Sequence, residues 1–447
     1  MKPAAIGSRV LVVGLGASGL AAARLAAADG SAVQATDRRP EAELGPALAE
    51  LPPAARTFLG GHPSACLEGV DLMVVSPGVD TTAAIVAEAR ARGIAVATEL
   101  EFAWRHRPEA PLAAVTGSNG KSTVTVLIAE MLTASGVAVR AGGNLGPPAS
   151  ELVLEGGWET WVLEVSSFQA ELLTALRPRV GLLLNLSQDH LERHPDMATY
   201  LAAKRRLFAF QRAGDAAVLN LDDPASVGST VPSRRLLFSL ERPAHGWLDG
   251  GRLVVHDQPL LAADRIALQG RHNLANALAA ALTALELGAD RAAVARTLET
   301  FEGLSHRHRR VHSQGGVQWV DDSKATNVGA TLAALGGYPE GSVHLILGGL
   351  GKGQDFSPLA AVVGRTAAAV YLIGQDAERI AAALGSAAPI ELCGSLDEAV
   401  RRARAAARAG HTVLLAPACA SFDQFSDYAE RGDRFASLAC EEVSSCR

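Results

Sequence analysis

Ala114-Val-Thr-Gly-Ser-Asn-Gly-Lys-Ser-Thr-Val-Thr-Val-Leu-Ile128 runs from an apolar entry through a turn of small residues to Lys-Ser-Thr, then to apolar residues at helical spacing. That order predicts a strand, a phosphate loop and a helix. Gly117, Ser118, Asn119 and Gly120 let backbone N–H groups point at phosphate oxygens, and the positive end of the following helix adds to them. Lys121 would reach the β- and γ-phosphates and Ser122 a magnesium ion. The strict pattern asks for a glycine at position 115, where valine stands, so this is the shortened Gly-x-x-Gly-Lys-Ser form. A glycine turn before an ordinary helix has the same outline. Glycine, lysine and hydroxyl falling together at a strand-to-helix junction favour nucleotide binding.

With 447 residues the chain is too long for one core and suggests roughly three domains of ~150 residues. Its 48% hydrophobic and 20% charged residues are those of an ordinary globular protein, and alanine-rich segments favour many helices. A net charge of −6 and a pI near 6.1 argue against bulk nucleic-acid binding, which needs a basic footprint. The arginines between Arg401 and Arg408 have helical spacing and read as a solvated helix face. Five cysteines, odd in number and without a C-x-x-C pair, fit a reducing compartment and offer no zinc site. Neither a basic-then-apolar leader nor a window of ~18 uninterrupted apolar residues is visible, so the expected location is the cytoplasm, without membrane insertion.

Along the chain, Arg9-Val-Leu-Val-Val13 enters Gly14-Leu-Gly-Ala-Ser-Gly19 and an alanine-rich helix, and Ala32-Val-Gln-Ala-Thr36 ends at Asp37. This is a dinucleotide fingerprint in its βαβ setting, with an acid close to the ~20-residue spacing of a ribose contact; alone it suggests a dehydrogenase. Arg38 and Arg39 complicate that reading, since guanidiniums there suit an added phosphate or diphosphate as well as they suit a solvated loop. Leu72–Gly78 and Ile94–Ala97 add strand-and-turn units. The polar stretch Trp104–Pro111 then separates this part from the phosphate loop.

Thr160–Val165 and Val180–Asn185 are near-continuous apolar runs, as in buried parallel strands, and they deliver Glu164 and the pair Asp189-His190. A carboxylate and an imidazole beside a phosphate loop suit Mg2+; a helix cap and a packed histidine are the plain alternative. Tyr200–Phe208 reads as an amphipathic helix with Lys204, Arg205 and Arg206, ordinarily solvated. Gly270–Ala279 opens a long helix on which Asn276 either reads a base edge or caps a neighbour. Gly303–Arg310 breaks the helical pattern. Beyond it, strands at 317–320, 344–347 and 412–416 each deliver a polar or glycine-rich loop, so one edge of this part should bind ligand, and Lys352 is placed for an anion. The expectation is an α/β chain of three domains: residues 1–99 Rossmann-like, 100–303 a P-loop domain with a mostly parallel sheet, and 304–447 Rossmann-like.

Taken in order, Val115–Thr123, Glu164-Val-Ser-Ser-Phe-Gln169, Asp189-His190, Tyr200-x-x-x-Lys204, Gly270-x-His-Asn-x-x-Asn276, His306-Arg307, Asp322-Ser-Lys-Ala-Thr-Asn327 and Ser421-Phe-Asp-Gln-Phe425 resemble the Mur ligases over nearly the whole chain. Within that family the likeness is to the branch that adds glutamate. The resemblance implies ATP-dependent ligation of D-glutamate to UDP-N-acetylmuramoyl-L-alanine through an acyl phosphate, in peptidoglycan synthesis, by a cytoplasmic monomer. It places the UDP part of the substrate, and no nicotinamide, on the N-terminal domain, and it implies domains that close to keep the acyl phosphate dry.

By the same resemblance Gly117, Ser118, Asn119, Gly120, Lys121, Ser122 and Thr123 bind ATP, with Asn276, Arg307 and Asp322. Ala17, Ser18, Asp37, Arg39, Ser76, Gly78 and Asn144 would lie at the UDP substrate, and Lys324, Thr326, Lys352, Ser421, Phe422 and Tyr428 near glutamate. Two Mg2+ ions are implied, one at Ser122 and Glu164, the second at His190 and a Lys204 carbamylated by CO2. Lys121, Asn144, His190 and Lys204 would be catalytic. His308 and Arg309 stand where the family has an aromatic and a glutamate, and Arg38 replaces a small hydroxyl residue. Three competitors remain: another amide ligase of the superfamily (or one using L-glutamate), a nicotinamide oxidoreductase resting on Gly14–Gly19, and a non-enzymatic nucleotide-binding scaffold.

Overall fold

Apolar runs too short to be helices, each closed by a glycine or a polar residue, make the strands here. The computed structural model describes residues 8–187, 189, 194–268 and 270–441. The first sheet is wholly parallel, in the order β3-β2-β1-β4-β5, from β1 (Arg9–Val13), β2 (Ala32–Asp37), β3 (Arg56–Leu59), β4 (Leu72–Val75) and β5 (Ala95–Thr98). Such a sheet is covered on both faces, which is why β1 after Arg9 and β4 are continuous apolar runs, mostly valine and leucine.

The second sheet has nine strands: β6 (Leu112–Thr116), β7 (Val139–Gly143), β8 (Thr160–Glu164), β9 (Val180–Leu183), β10 (Ala216–Asn220), β11 (Arg234–Ser239), β12 (Gly246–Asp249), β13 (Arg252–Val255) and β14 (Gln258–Ala262). Its order is β14-β13-β12-β11-β10-β9-β6-β8-β7. It is parallel from β7 to β12, while β12, β13 and β14 form an antiparallel meander. The third is ordered β15-β16-β20-β17-β18-β19, from β15 (Arg309–Gln314), β16 (Val317–Asp321), β17 (Val343–Gly348), β18 (Ala367–Ile373), β19 (Ile390–Gly394) and β20 (Thr412–Leu415); only β15 runs antiparallel. The sequence reading did not find β3, β7, β10–β15, β18 or β19. These are half-exposed or alanine-rich segments whose strand character comes from their partners.

Two compact units result. One takes in residues up to 186, 195–262 and 277–297, with the first two sheets; the other takes in 187–194, 263–276 and 298 onward, with the third sheet. In the first unit one apolar core continues from Val10 and Ala23 through Phe102 and Trp104 to Trp161 and Leu219. The helix Glu99–His106 lies in that join. Its Glu101 accepts hydrogen bonds from Thr174 N (2.6 Å), Ala175 N (3.1 Å) and Arg105 (2.8 Å). Glu99 accepts from Ser150 N at 2.5 Å, at the start of the helix Ala149–Glu155, while its other oxygen has no protein partner.

Burial therefore pushes the Glu99 carboxyl up to about 7, only partly offset by the bond from Ser150. An acid raised in the folded state binds more protons folded than unfolded between pH 4.5 and 7, so its ionisation lowers stability as pH rises through that window. Glu99→Gln keeps an acceptor for Ser150 N and removes the charge. Its thermal midpoint is expected to exceed that of the parent above pH 7, by a stability difference on the order of 3 kcal/mol that vanishes near pH 4.5. A midpoint difference that does not change with pH would contradict this.

Candidate functional site

The phosphate loop is built as its sequence predicts. β6 is buried along its length, and the helix Lys121–Ala134 starts directly after Gly120. Gly117 (φ +148°) and Gly120 (φ +84°) hold backbone conformations that favour glycine, and a Cβ on Gly117 would press Leu184 at 3.0 Å. Asn185, just past β9, shapes the loop from the neighbouring strand: its carbonyl accepts Ser118 N (3.0 Å), its Oδ1 accepts Asn119 N (2.9 Å), and its Nδ2 donates to Asn119 O (3.0 Å). Sequence reasoning missed this residue; its one signal was a polar residue at a strand end.

Lys121 folds back, its ammonium donating to Gly117 O (2.9 Å) and Ser118 O (2.8 Å). Lys204 Nζ donates to the same Gly117 O at 2.8 Å and lies 4.4 Å from the Tyr200 ring centre, and Tyr200 Oη meets Ser118 Oγ at 3.2 Å. With 1% exposure Lys204 is not on a solvated helix face, contrary to the plain reading of its sequence. The helix Met197–Arg205 turns that residue inward because Tyr200 and Ala203 share its buried side. Glu164, at the end of β8, accepts from Ser122 Oγ and from Asn144 Nδ2 (2.7 Å). The hydroxyl and the carboxylate are hard oxygen donors of the kind that fit a magnesium ion, and the Asn144 amide nitrogen holds the carboxylate in place. His190 lies outside the described residues. Among those described, no group of three or more His, Cys, Asp or Glu residues could hold a metal.

At the carboxyl edge of the first sheet Asp37 accepts from Leu15 N (2.7 Å) and pairs with Arg39 (2.9 Å), which also reaches Leu15 O at 3.3 Å. Burial pushes this carboxyl up, but the bonds from the Arg39 side chain, Leu15 N and Arg39 N outweigh it and hold the group well below the usual carboxylate range. Arg39 is thus not a free loop residue: it is paired with Asp37. Ser76 Oγ donates to Gly14 O (2.7 Å), and Ala17 and Ser18 open the helix Ala17–Ala28. Gly78 follows β4.

In the second unit Asn276 Nδ2 donates to Asn273 Oδ1 (3.0 Å), and Asp322 follows β16. His308 sits 3.5 Å from Asp322, off-axis for a hydrogen bond, meets Tyr338 Oη at 3.2 Å and packs edge-on against His272. Burial, with His308 beside it, pulls His272 down to about 4. His306 is raised by its hydrogen bond to Asp321. Lys324 Nζ stands 3.7 Å from the Tyr428 ring centre, and Ser421 is buried close by in sequence to the exposed Phe422. Lys352 is exposed at φ +51°, and Thr326 and Arg307 are partly buried. Beneath these loops lies Arg431, buried, donating to Ser323 Oγ, Ser323 O and Cys419 O; a lone arginine in a helix carried no sequence signal of this.

A glycine loop at a helix N-terminus with its hydroxyl on a strand-end carboxylate, inside a mostly parallel sheet, defines a phosphate-loop α/β protein. Family models match residues 8–98 (Mur ligase MurD-like, N-terminal domain), 115–284 (Mur ligase middle domain) and 306–419 (Mur ligase, glutamate ligase domain). The chain is 45% identical over 455 residues to the UDP-N-acetylmuramoylalanine--D-glutamate ligase of Anaeromyxobacter dehalogenans, covering 98% of each, and 42% identical over 449 residues to that of Nitrosococcus oceani, covering 98% and 97%. It belongs to the Mur ligase family. In fold it is similar to the UDP-N-acetylmuramate-alanine ligase MurC of Thermotoga maritima, with a TM-score of 0.61 at 18% identity over 96% of this chain and 98% of that one. No helix among the described residues is long and apolar enough to cross a membrane.

Proposed function

We propose that this enzyme joins D-glutamate to UDP-N-acetylmuramoyl-L-alanine with consumption of ATP, in peptidoglycan precursor synthesis. The observation that carries the reading is similarity above 40% to ligases of that name along the full chain. The substrate's alanine carboxylate attacks the γ-phosphorus, giving an acyl phosphate and ADP; the amine of glutamate then attacks the acyl carbon and phosphate leaves. Little covalent chemistry falls to the protein, so positioning and charge stabilisation dominate.

Gly117–Thr123 cradle the phosphates, with Lys121 swinging from its loop carbonyls to the transferring group. Asn276, Arg307 and Asp322 hold the rest of the nucleotide. Ser122 and Glu164 would hold one Mg2+, and His190 with Lys204 a second; bound there, the ions neutralise charge on the phosphoryl group. Asn144 keeps the Glu164 carboxylate oriented. Two ammoniums on one carbonyl oxygen, one of them buried, support a carbamylated Lys204, which replaces a like charge by an oxygen donor. Residues 1–99 take the UDP end through Ala17, Ser18, Asp37, Arg39, Ser76 and Gly78, and residues 304–447 take glutamate through Lys324, Thr326, Lys352, Ser421, Phe422 and Tyr428. The clamped Asp37 supports this over a nicotinamide site, where the acid would have to meet a ribose. The protein acts as a cytoplasmic monomer on small molecules.

Phosphate release, measured with ATP and UDP-N-acetylmuramoyl-L-alanine while either glutamate enantiomer is supplied in turn, tests the reading. Release with D-glutamate alone is the expected result. Equal release with L-glutamate, or no release with either enantiomer while alanine or diaminopimelate supplied in its place restores it, overturns the reading.

A further inference from the structure

Beside Asp37 stands an imidazole that the ligation chemistry leaves unused. His62 follows β3, in a loop tied to the end of β2: Gly60 N donates to Arg39 O (3.0 Å) and Gly61 N to Asp37 O (3.1 Å). Thr36 Oγ1 gives its single hydrogen to Gly61 O at 3.0 Å. The 3.0 Å contact of that same oxygen with His62 Nδ1 therefore has the ring as donor. Burial lowers the pKa of this imidazole below its usual 6.5, against the charge of Asp37 and with that of Arg38, so it is neutral at pH 7. Its hydrogen is on Nδ1. Nε2 is then an acceptor of fixed direction, and no described residue donates to it.

We propose that His62 Nε2 accepts the N3–H of the uracil ring of the substrate, making His62 a residue that selects uracil; this rests on the reading of the first sheet as the UDP site. The helix Ala17–Ala28, after β1, presents its N-terminus to a diphosphate. On the same reading the acyl end of the substrate goes toward Lys121, on the second sheet, which the chain enters after β5. Its nucleoside end runs the other way, over β2 and β3, where Asp37 and then His62 stand. Uracil offers a donor at N3; cytosine offers a lone pair there, which Nε2 repels. The Thr36 hydroxyl, by holding the tautomer, acts as a positioning group.

Calorimetric titration of the full-length protein with UDP and with CDP tests this in the parent, His62→Ala and Thr36→Val. The parent is expected to prefer UDP, His62→Ala to bind UDP about tenfold more weakly with that preference collapsed, and Thr36→Val to lose part of the preference while keeping the ring. The preference should also fade as pH drops below the His62 pKa, because a protonated Nε2 can no longer accept. An unchanged ratio of UDP to CDP affinity in either variant overturns the assignment, and a general loss of stability would not move that ratio. Absence of UDP binding by the parent would overturn the UDP site itself.

Discussion

Replacing Lys121 by alanine is expected to cut phosphate release roughly 10³-fold while the protein still melts cooperatively near the parent midpoint. On the proposed function the loop lysine would supply a cation where charge builds up on the transferring phosphoryl group. Its ammonium here donates to Gly117 O and Ser118 O, carbonyls of the loop itself, which water can satisfy once the side chain is gone. The helix it opens is held by Val124, Leu127, Ile128 and Leu132, all buried and untouched by the change. Activity and thermal melting measured on the same preparation separate the two effects. Loss of the cooperative melt together with activity would mean that Lys121 is a structural residue.

Lys204→Arg should be as damaging, roughly 10³-fold, although it keeps a positive charge. An ammonium buried at 1% exposure and sharing a carbonyl with a second lysine would repel a nearby Mg2+. Addition of CO2 to the amine, with loss of a proton, turns the group into an anionic oxygen donor suited to a hard cation. A guanidinium cannot follow that path at neutral pH. Exhaustive removal of CO2 is accordingly expected to lower the activity of the parent reversibly, with bicarbonate restoring it. A carbamate carbon signal should appear on adding 13C-labelled bicarbonate to the parent and be missing in Lys204→Arg. Full activity in that variant, or no such signal in the active parent, would return Lys204 to a purely structural donor to Gly117.

Arg39 and Lys204 mark where sequence reading reached its limit. Arg39 suited a ligand contact as well as a solvated loop, and Lys204 read from its own residues as solvated, because a charged side chain on a loop or helix has the same local pattern in either setting. What decides between them is a partner far along the chain: Gly117 lies 87 positions before Lys204, and Leu15 lies 24 before Arg39. Asn185 and Arg431 were missed for the same reason, since each matters only through groups that packing brings to it.

By itself the sequence determined the strand, loop and helix around Gly117–Lys121, the parallel runs of β1, β4, β8 and β9, the alternation of strands and helices, and the order of motifs that marks the family. These follow from backbone preference and from the period of burial, both written in neighbouring residues. Tertiary structure alone decided that the first two sheets share one core across the helix Glu99–His106, that Glu99 is buried half-satisfied, that Asp37 is clamped by Leu15 and Arg39, and that His62 Nδ1 meets the Thr36 hydroxyl. Hydrogen-bond partners and burial of single polar groups depend on which distant segments meet. That is settled by the free energy of the whole packed chain, and no short window of sequence contains it.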